Sequence, residues 1–70
     1  MKYAVVIEKG PESFSAYAPD LPGCAAAGES REEVVQLIRE AIEFHIQGMK
    51  EDGDEVPPPA SSIEFVDVAA

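Results

Sequence analysis

The sequence predicts an α+β fold with the element order β-β-β-α-β, in which one mixed four-stranded sheet carries a single helix on one face. Three observations predict it. Short apolar runs between residues 3 and 27 are separated by turns rich in glycine and proline. A long amphipathic segment, residues 31–51, has the start and stop signals of a helix. A final segment, residues 63–68, has the alternation of a strand.

The first two strands are expected to form a hairpin. Residues 3–9 carry apolar side chains on both faces, and residues 14–18 form the next apolar run. Between them, residues 10–13 read Gly-Pro-Glu-Ser, which favours a turn. So short a connection requires the two strands to be antiparallel.

The third strand is short and consists of small residues. Residues 19–23, Pro-Asp-Leu-Pro-Gly, interrupt regular pairing because proline has no N–H donor. Residues 24–27, Cys-Ala-Ala-Ala, lie between two glycines and are too few for a helix, so we predict a strand. Its small side chains would let another element pack closely over it.

The helix has the clearest sequence signals. Ser30 and Glu33 form a capping-box pattern, in which the serine hydroxyl accepts from the Glu33 amide and the glutamate reaches back. Apolar side chains recur at spacings of three and four through residues 31–51. Gly53 is placed to end the helix.

A fourth strand is expected after a polar, proline-rich connector. Residues 54–62 contain three successive prolines, which favour extended polyproline geometry. Residues 63–68, Ile-Glu-Phe-Val-Asp-Val, would then return through a right-handed crossover and pair in parallel with the first strand. One helix covers only one face, so we expect the other face or a sheet edge to form a homo-oligomer, a dimer or a tetramer.

Composition limits the size and the partners of this protein. Its 70 residues, 46% of them hydrophobic, predict one domain over residues 1–70. Fourteen acidic against five basic residues give a net charge of −9. This charge disfavours direct binding to nucleic acid or to an anionic membrane and favours a basic protein partner; the alternative is that it only aids solubility. One cysteine and no long apolar run predict a cytoplasmic protein.

Candidate catalytic groups have simpler structural interpretations. His45 lies on the apolar side of the helix, which suits a core histidine better than a general base. Cys24 and His45 could form a thiol–imidazole pair, but a buried inert thiol is favoured. Asp20 and Asp67, with strand glutamates, could hold Mg²⁺ in a residual nuclease, which is a minor alternative. We therefore predict no metal or cofactor.

Several short motifs occur together along almost the whole chain. They are Tyr-Ala-Pro-Asp-Leu-Pro-Gly-Cys at residues 17–24, Gly28, Ser-Arg-Glu-Glu at residues 30–33, Glu40-Ala41, Glu51-Asp52-Gly53, Pro57 and Pro59. In combination, over about residues 3–68, they resemble the HicB-like antitoxin family. That resemblance implies a partly degenerate ribonuclease-H-like fold and the role of antitoxin in a type II toxin–antitoxin module.

The resemblance also implies a partner. The antitoxin would bind a small basic toxin of double-stranded-RNA-binding-domain fold, which cleaves messenger RNA, and would mask its active site. The family has no catalytic residues, so we predict that the protein is not an enzyme. Longer members often carry a C-terminal DNA-binding domain, and we expect none in this chain, so that it would not bind operator DNA alone. A solitary oligomeric binding module without a toxin is the alternative function.

Four acidic residues are candidate partner-binding residues: Asp20, Glu32, Glu40 and Glu43. The three glutamates lie on the outer side of the predicted helix, where a solvated face without a binding role is the alternative. Asp20 is also expected to hold its turn, residues 19–24, through hydrogen bonds from backbone N–H groups to its side chain.

Overall fold

The computed structural model describes residues 1–69 and contains three strands followed by one helix. The strands are β1 (Val6–Lys9), β2 (Phe14–Tyr17) and β3 (Ala25–Gly28), and the helix is α1 (Arg31–Glu51). The sheet is antiparallel with the order β1-β2-β3, so β2 is its central strand. The predicted α+β class, the three strands and the helix are confirmed.

The hairpin of β1 and β2 forms where the turn residues predict it. The Gly10 N–H donates to the Ser13 carbonyl at 2.8 Å and closes the turn. In the resulting register, Ile7 lies opposite Ala16, and Ala16 lies opposite Ala26 of β3. Directly paired residues share a face of the sheet, so these three side chains form one face, the one that meets the helix.

The helix packs chiefly across β2 and β3, and β3 consists entirely of small residues. Gly28 comes so close to α1 that a Cβ atom there would lie 3.1 Å from the Val34 nitrogen. The predicted close packing over the third strand is therefore found. No helix within residues 1–69 is long and apolar enough to span a membrane.

The loop between β2 and β3 completes the core. The buried residues are Ala16, Ala18, Leu21, Cys24, Val34 and Ile38. Leu21, which is 1% exposed, and Cys24 both belong to this loop. The loop is closed by its own backbone, since the Ala18 N–H donates to the Cys24 carbonyl at 3.1 Å. A small core of this kind is built without a fourth strand.

Both ends of α1 are capped by the residues that the sequence indicates. Ser30 Oγ accepts from the Glu33 N–H at 3.1 Å. Glu33 reaches back to the Glu29 N–H at 2.8 Å, one residue before the cap. At the other end, Gly53 takes a positive φ of 76° and its N–H donates to the Lys50 carbonyl.

The predicted fourth strand and mixed sheet are absent from the described chain. Residues 63–68 have no strand pairing, and the sheet ends at β1. The reason lies in the connector. Its residues Ala60 and Ser61 are held by Asp20, and the segment that follows lies beside Val5, Val6 and Ile7 without backbone pairing. Phe65 accordingly remains 91% exposed.

Candidate functional site

The exposed side of α1 is a mainly acidic surface that also carries one arginine and two apolar side chains. We call it the outer helix face, and its exposed members are Glu32, Glu33, Gln36, Leu37, Arg39, Glu40, Glu43, Phe44 and Gln47. Residues three, four and seven positions apart lie on the same side of a helix. Leu37, Glu40 and Phe44 are therefore neighbours, with Phe44 81% exposed.

Three of the predicted partner-binding residues lie together on this face. Glu32, Glu40 and Glu43 are all exposed. The Glu40 carboxylate accepts a hydrogen bond from Gln36 Nε2 at 2.8 Å, one helical turn away. The predicted placement is found, and the binding role of the three glutamates stays a prediction.

The sequence pattern does not single out Phe44. Phe44 lies four positions after Glu40 and three before Gln47, so helical spacing places it among polar side chains. The same spacing could have identified it from the sequence as an exposed aromatic residue. A large aromatic ring that is mostly exposed to solvent within a charged surface is a typical anchor for a protein partner.

Asp20, the fourth predicted residue, binds within its own chain. Its Oδ2 accepts from the Ala60 and Ser61 N–H groups, both at 3.0 Å, and its Oδ1 accepts from Ser61 Oγ at 2.8 Å. We call these three hydrogen bonds the Asp20 latch. The Ser61 and Ala60 amides and the Ser61 hydroxyl hold the pKa of Asp20 below its ordinary value.

The latch differs from the expected role of Asp20. The side chain does accept from backbone N–H groups, but they belong to the connector, 40 and 41 positions away, and not to the turn of Asp20 itself. A second contact ties the connector to the start of the chain, where the Tyr3 hydroxyl donates to the Pro57 carbonyl. The connector is thus held at two points.

Cys24, one of the candidate catalytic groups, lies in unreactive surroundings. Cys24 is 4% exposed, and burial raises the pKa of its thiol, so the thiolate needed for nucleophilic attack is disfavoured. His45 is half-buried on the inner side of α1. Within residues 1–69, no three histidine, cysteine or carboxylate side chains converge on a point that could hold a metal ion.

An open groove of about 640 Å³ runs between β1 and α1. Its walls are mostly apolar, with Val5 and Ile7 on one side and Ile42 and Ile46 on the other, and Lys2 is among the residues that line it. The groove exists because α1 lies over β2 and β3 and leaves the inner side of β1 without cover.

Comparison with curated proteins gives relatives of different lengths. The chain is 44% identical over 57 residues to an uncharacterised 14.9 kDa protein of Haemophilus phage HP1. The aligned region covers 81% of this chain and 43% of the phage protein. The chain is 39% identical to a UPF0150 protein of Archaeoglobus fulgidus, covering 77% of this chain and 83% of that protein. It is 31% identical to antitoxin HicB 2 of Photorhabdus laumondii, covering 100% of this chain and 51% of that antitoxin. The chain spans about half the length of the phage protein and of the Photorhabdus antitoxin.

A solved structure and a family model agree with these relatives. A chain in the structure of a HicA3 and HicB3 toxin–antitoxin complex matches with a TM-score of 0.72 and 33% identity, covering 84% of this chain and 70% of that chain. The family model described as HicB-like antitoxin of bacterial toxin–antitoxin systems matches residues 3–69. Since this match extends from before β1 to beyond the connector, the chain belongs to the HicB-like antitoxins.

Proposed function

We propose that this protein is an antitoxin that binds a small basic toxin through the outer helix face and thereby masks the active site of the toxin. The observation that carries this proposal is the exposed ring of Phe44 beside Glu40 and Glu43 on the capped helix. The similarity to a chain from a toxin–antitoxin complex supports the choice of partner.

The chemistry of the outer helix face suits such a partner. Interface energy is usually concentrated in a few aromatic or arginine anchors, while surrounding charges set the partner and the rate of encounter. Phe44 has the exposure of an anchor, and the glutamates around it would attract a basic surface. The net charge of −9 extends this attraction beyond the contact itself.

The family resemblance indicates a more specific class of partner, a toxin of double-stranded-RNA-binding-domain fold that cleaves messenger RNA. A protein that binds RNA must present positive charge to the phosphates. Carboxylates of the outer helix face would compete for the same positive groups, and this competition is the form of masking that we propose. In this role the chain acts as a single domain in the cytoplasm, and it needs no enzymatic activity, metal or cofactor.

We also propose that the chain self-associates as a dimer or a tetramer. Its core contains six buried residues within the described range 1–69, which is few for an independently stable domain. Exposed apolar side chains, among them Phe65 and Val68, supply surface that a second copy would bury.

The test measures binding to the product of the adjacent gene, where that gene encodes a small basic protein. The two chains would be co-expressed and the affinity measured by calorimetry for the wild type, Phe44→Ala and the double variant Glu40→Lys/Glu43→Lys. Loss of a hot-spot aromatic should weaken binding about 30-fold or more. The charge reversals should slow association and reduce the salt dependence of binding.

The control is Glu55→Lys, which reverses one charge, where the double variant reverses two, at an exposed position outside the helix. It should leave the affinity within about threefold of the wild type, since a lone exposed charge contributes little. A complex that tolerates both outer-face variants would overturn the proposed surface. If the neighbouring basic protein does not bind at all, the chain acts instead as a solitary oligomeric binding module.

A further inference from the structure

Residues 63–68, which we call the C-terminal arm, have the sequence of a strand but no strand partner within residues 1–69 of their own chain. The arm exposes apolar side chains on both sides: Phe65 is 91% exposed, Val66 73% and Val68 77%. Each large apolar side chain left in water forgoes the free energy that burial would supply. A surface that would bury these side chains is therefore expected.

The outer edge of β1 is a matching surface. Within residues 1–69 the sheet order is β1-β2-β3, so β1 pairs on one side only. Its other side presents backbone N–H and C=O groups without ladder partners, which is a template for an added strand. The groove beside β1 would receive the alternate side chains of that strand, because Val5 and Ile7 line it opposite Ile42.

The charges of the two surfaces are complementary. Residues 1–9 hold Lys2 and Lys9 against a single glutamate, in a chain that is acidic overall. The arm contributes Glu64 and Asp67, and every charged residue after Lys50 is acidic. An acidic arm on the most basic section of the chain would bring opposite charges together across paired strands.

The arm cannot obtain this burial from its own chain in the observed arrangement. Ile63 and Phe65 already lie beside Val5, Val6 and Ile7, where they line a shallow depression. Even there Phe65 keeps 91% of its surface exposed. A second copy supplies what is missing, since its β1 edge and groove present both backbone partners and apolar walls to the incoming arm.

We infer that the arm adds as a β-strand to the β1 edge of a second copy, and that two arms exchange reciprocally in a symmetric dimer. The Asp20 latch sets the starting point of each arm at Ser61. The eight residues from 62 to 69 span roughly 26 Å at about 3.3 Å per residue, so the arm is long enough to pair along the whole of the four-residue β1. This inference rests on the self-association proposed above, and it names the arm and the β1 edge as the two segments that form the contact between copies.

The experiment compares Phe65→Glu with Phe44→Glu in the full chain. Both substitutions place the same charge at an exposed phenylalanine, one on the arm and one on the outer helix face, so both variants should fold; circular dichroism of α1 verifies this. Sedimentation from about 1 to 100 μM, a range that brackets weak dimers, gives the dissociation constant. Phe65→Glu should raise this constant about tenfold or more, and Phe44→Glu should leave it within about threefold.

Amide hydrogen exchange supplies the second measurement. In the wild-type dimer, amides of β1 and of the arm should both be protected, and this protection should fall on dilution and in Phe65→Glu. A monomer at every concentration would overturn both self-association and strand exchange. A dimer that Phe65→Glu leaves intact, or arm protection that does not change on dilution, would overturn strand exchange alone, since the arm would then lie elsewhere or pair with its own β1.

Discussion

The carboxylate of Asp20 binds both the amide and the hydroxyl of Ser61, at 3.0 and 2.8 Å, across 41 positions of sequence. This contact joins the loop after β2 to the end of the proline-rich connector. The same loop contributes Leu21 and Cys24 to the core. The latch therefore anchors the connector to a part of the molecule whose own position is fixed by burial.

Replacing Asp20 by alanine should release the connector without unfolding the domain. Asp20→Ala removes all three acceptor contacts, while the core residues and both helix caps remain. The amides of Ala60 and Ser61 should then exchange with solvent as fast as those of an unstructured peptide, with unchanged helical circular dichroism. Asp67→Ala, at an exposed position, is the control. Slow exchange at Ser61 in Asp20→Ala would show that other contacts hold the connector.

Acid should open the latch only at low pH. The hydrogen bonds from Ser61 and Ala60 hold the pKa of Asp20 below its ordinary value of 3.8. A carboxyl group whose pKa is lowered by folding stabilises the fold fully above its ordinary pKa, and this contribution is lost as the pH falls through the lowered one. The Ser61 amide resonance should therefore titrate with a midpoint below 3.8. The transition should vanish in Asp20→Ala, and a midpoint above 3.8 would contradict the latch.

The glycines at 28 and 48 should respond in opposite directions to alanine. A Cβ atom at Gly28 would lie 2.9 Å from Glu33 Oε1 and 3.1 Å from the Val34 nitrogen. The Val34 nitrogen is a backbone atom, so no side-chain rotation can relieve this contact. Gly28→Ala should lower the free energy of unfolding by about 1–3 kcal/mol.

Gly48 is the internal comparison. A Cβ atom there meets nothing within 4 Å, and the position lies inside α1. Gly48→Ala should raise the free energy of unfolding by about 0.5–1 kcal/mol, because alanine loses less backbone entropy in a helix. Urea unfolding measures the free energy of unfolding of both variants relative to the wild type. A Gly28→Ala variant more stable than the wild type would show that the helix and β3 are farther apart than described.

Removing the helix cap should weaken the domain by a moderate amount. Ser30 Oγ is the acceptor for the Glu33 N–H at the first turn of α1. Ser30→Ala should lower the free energy of unfolding by about 0.5–2 kcal/mol. Ser62→Ala, at an exposed position in the connector, should have no measurable effect. Equal stability of the wild type and Ser30→Ala in thermal unfolding would show that the cap contributes nothing.

The features that sequence reasoning identified are those with local causes. The bounds of α1 match the prediction of residues 31–51 because Ser30, Glu33 and Gly53 act within a few positions of the helix ends. The exposure of Glu32, Glu40 and Glu43 follows from helical periodicity alone.

The features that it missed depend on distant partners. β1 begins at Val6 and not at residue 3, because Val6 pairs with Tyr17, the last residue of β2. Residues 63–68 have strand propensity, but their placement depends on the connector before them, whose contacts with Tyr3 and Asp20 span 54 and 40 positions. The partner of Asp20 lies 40 positions away, so no local pattern at residues 19–24 reveals it.

The wide separation between the two ends of the Asp20 latch has a consequence for the order of assembly. Within residues 1–51, strands that pair in the sheet follow one another in the sequence, and α1 follows β3 directly. Contacts between neighbouring segments of this kind form quickly in folding. The latch and the Tyr3–Pro57 contact bridge 40 to 54 positions and must close afterwards. During folding, the helix would therefore be formed and capped before the latch closes. A newly folded chain would then offer its acidic helix to the proposed partner before its arm can join the proposed second copy.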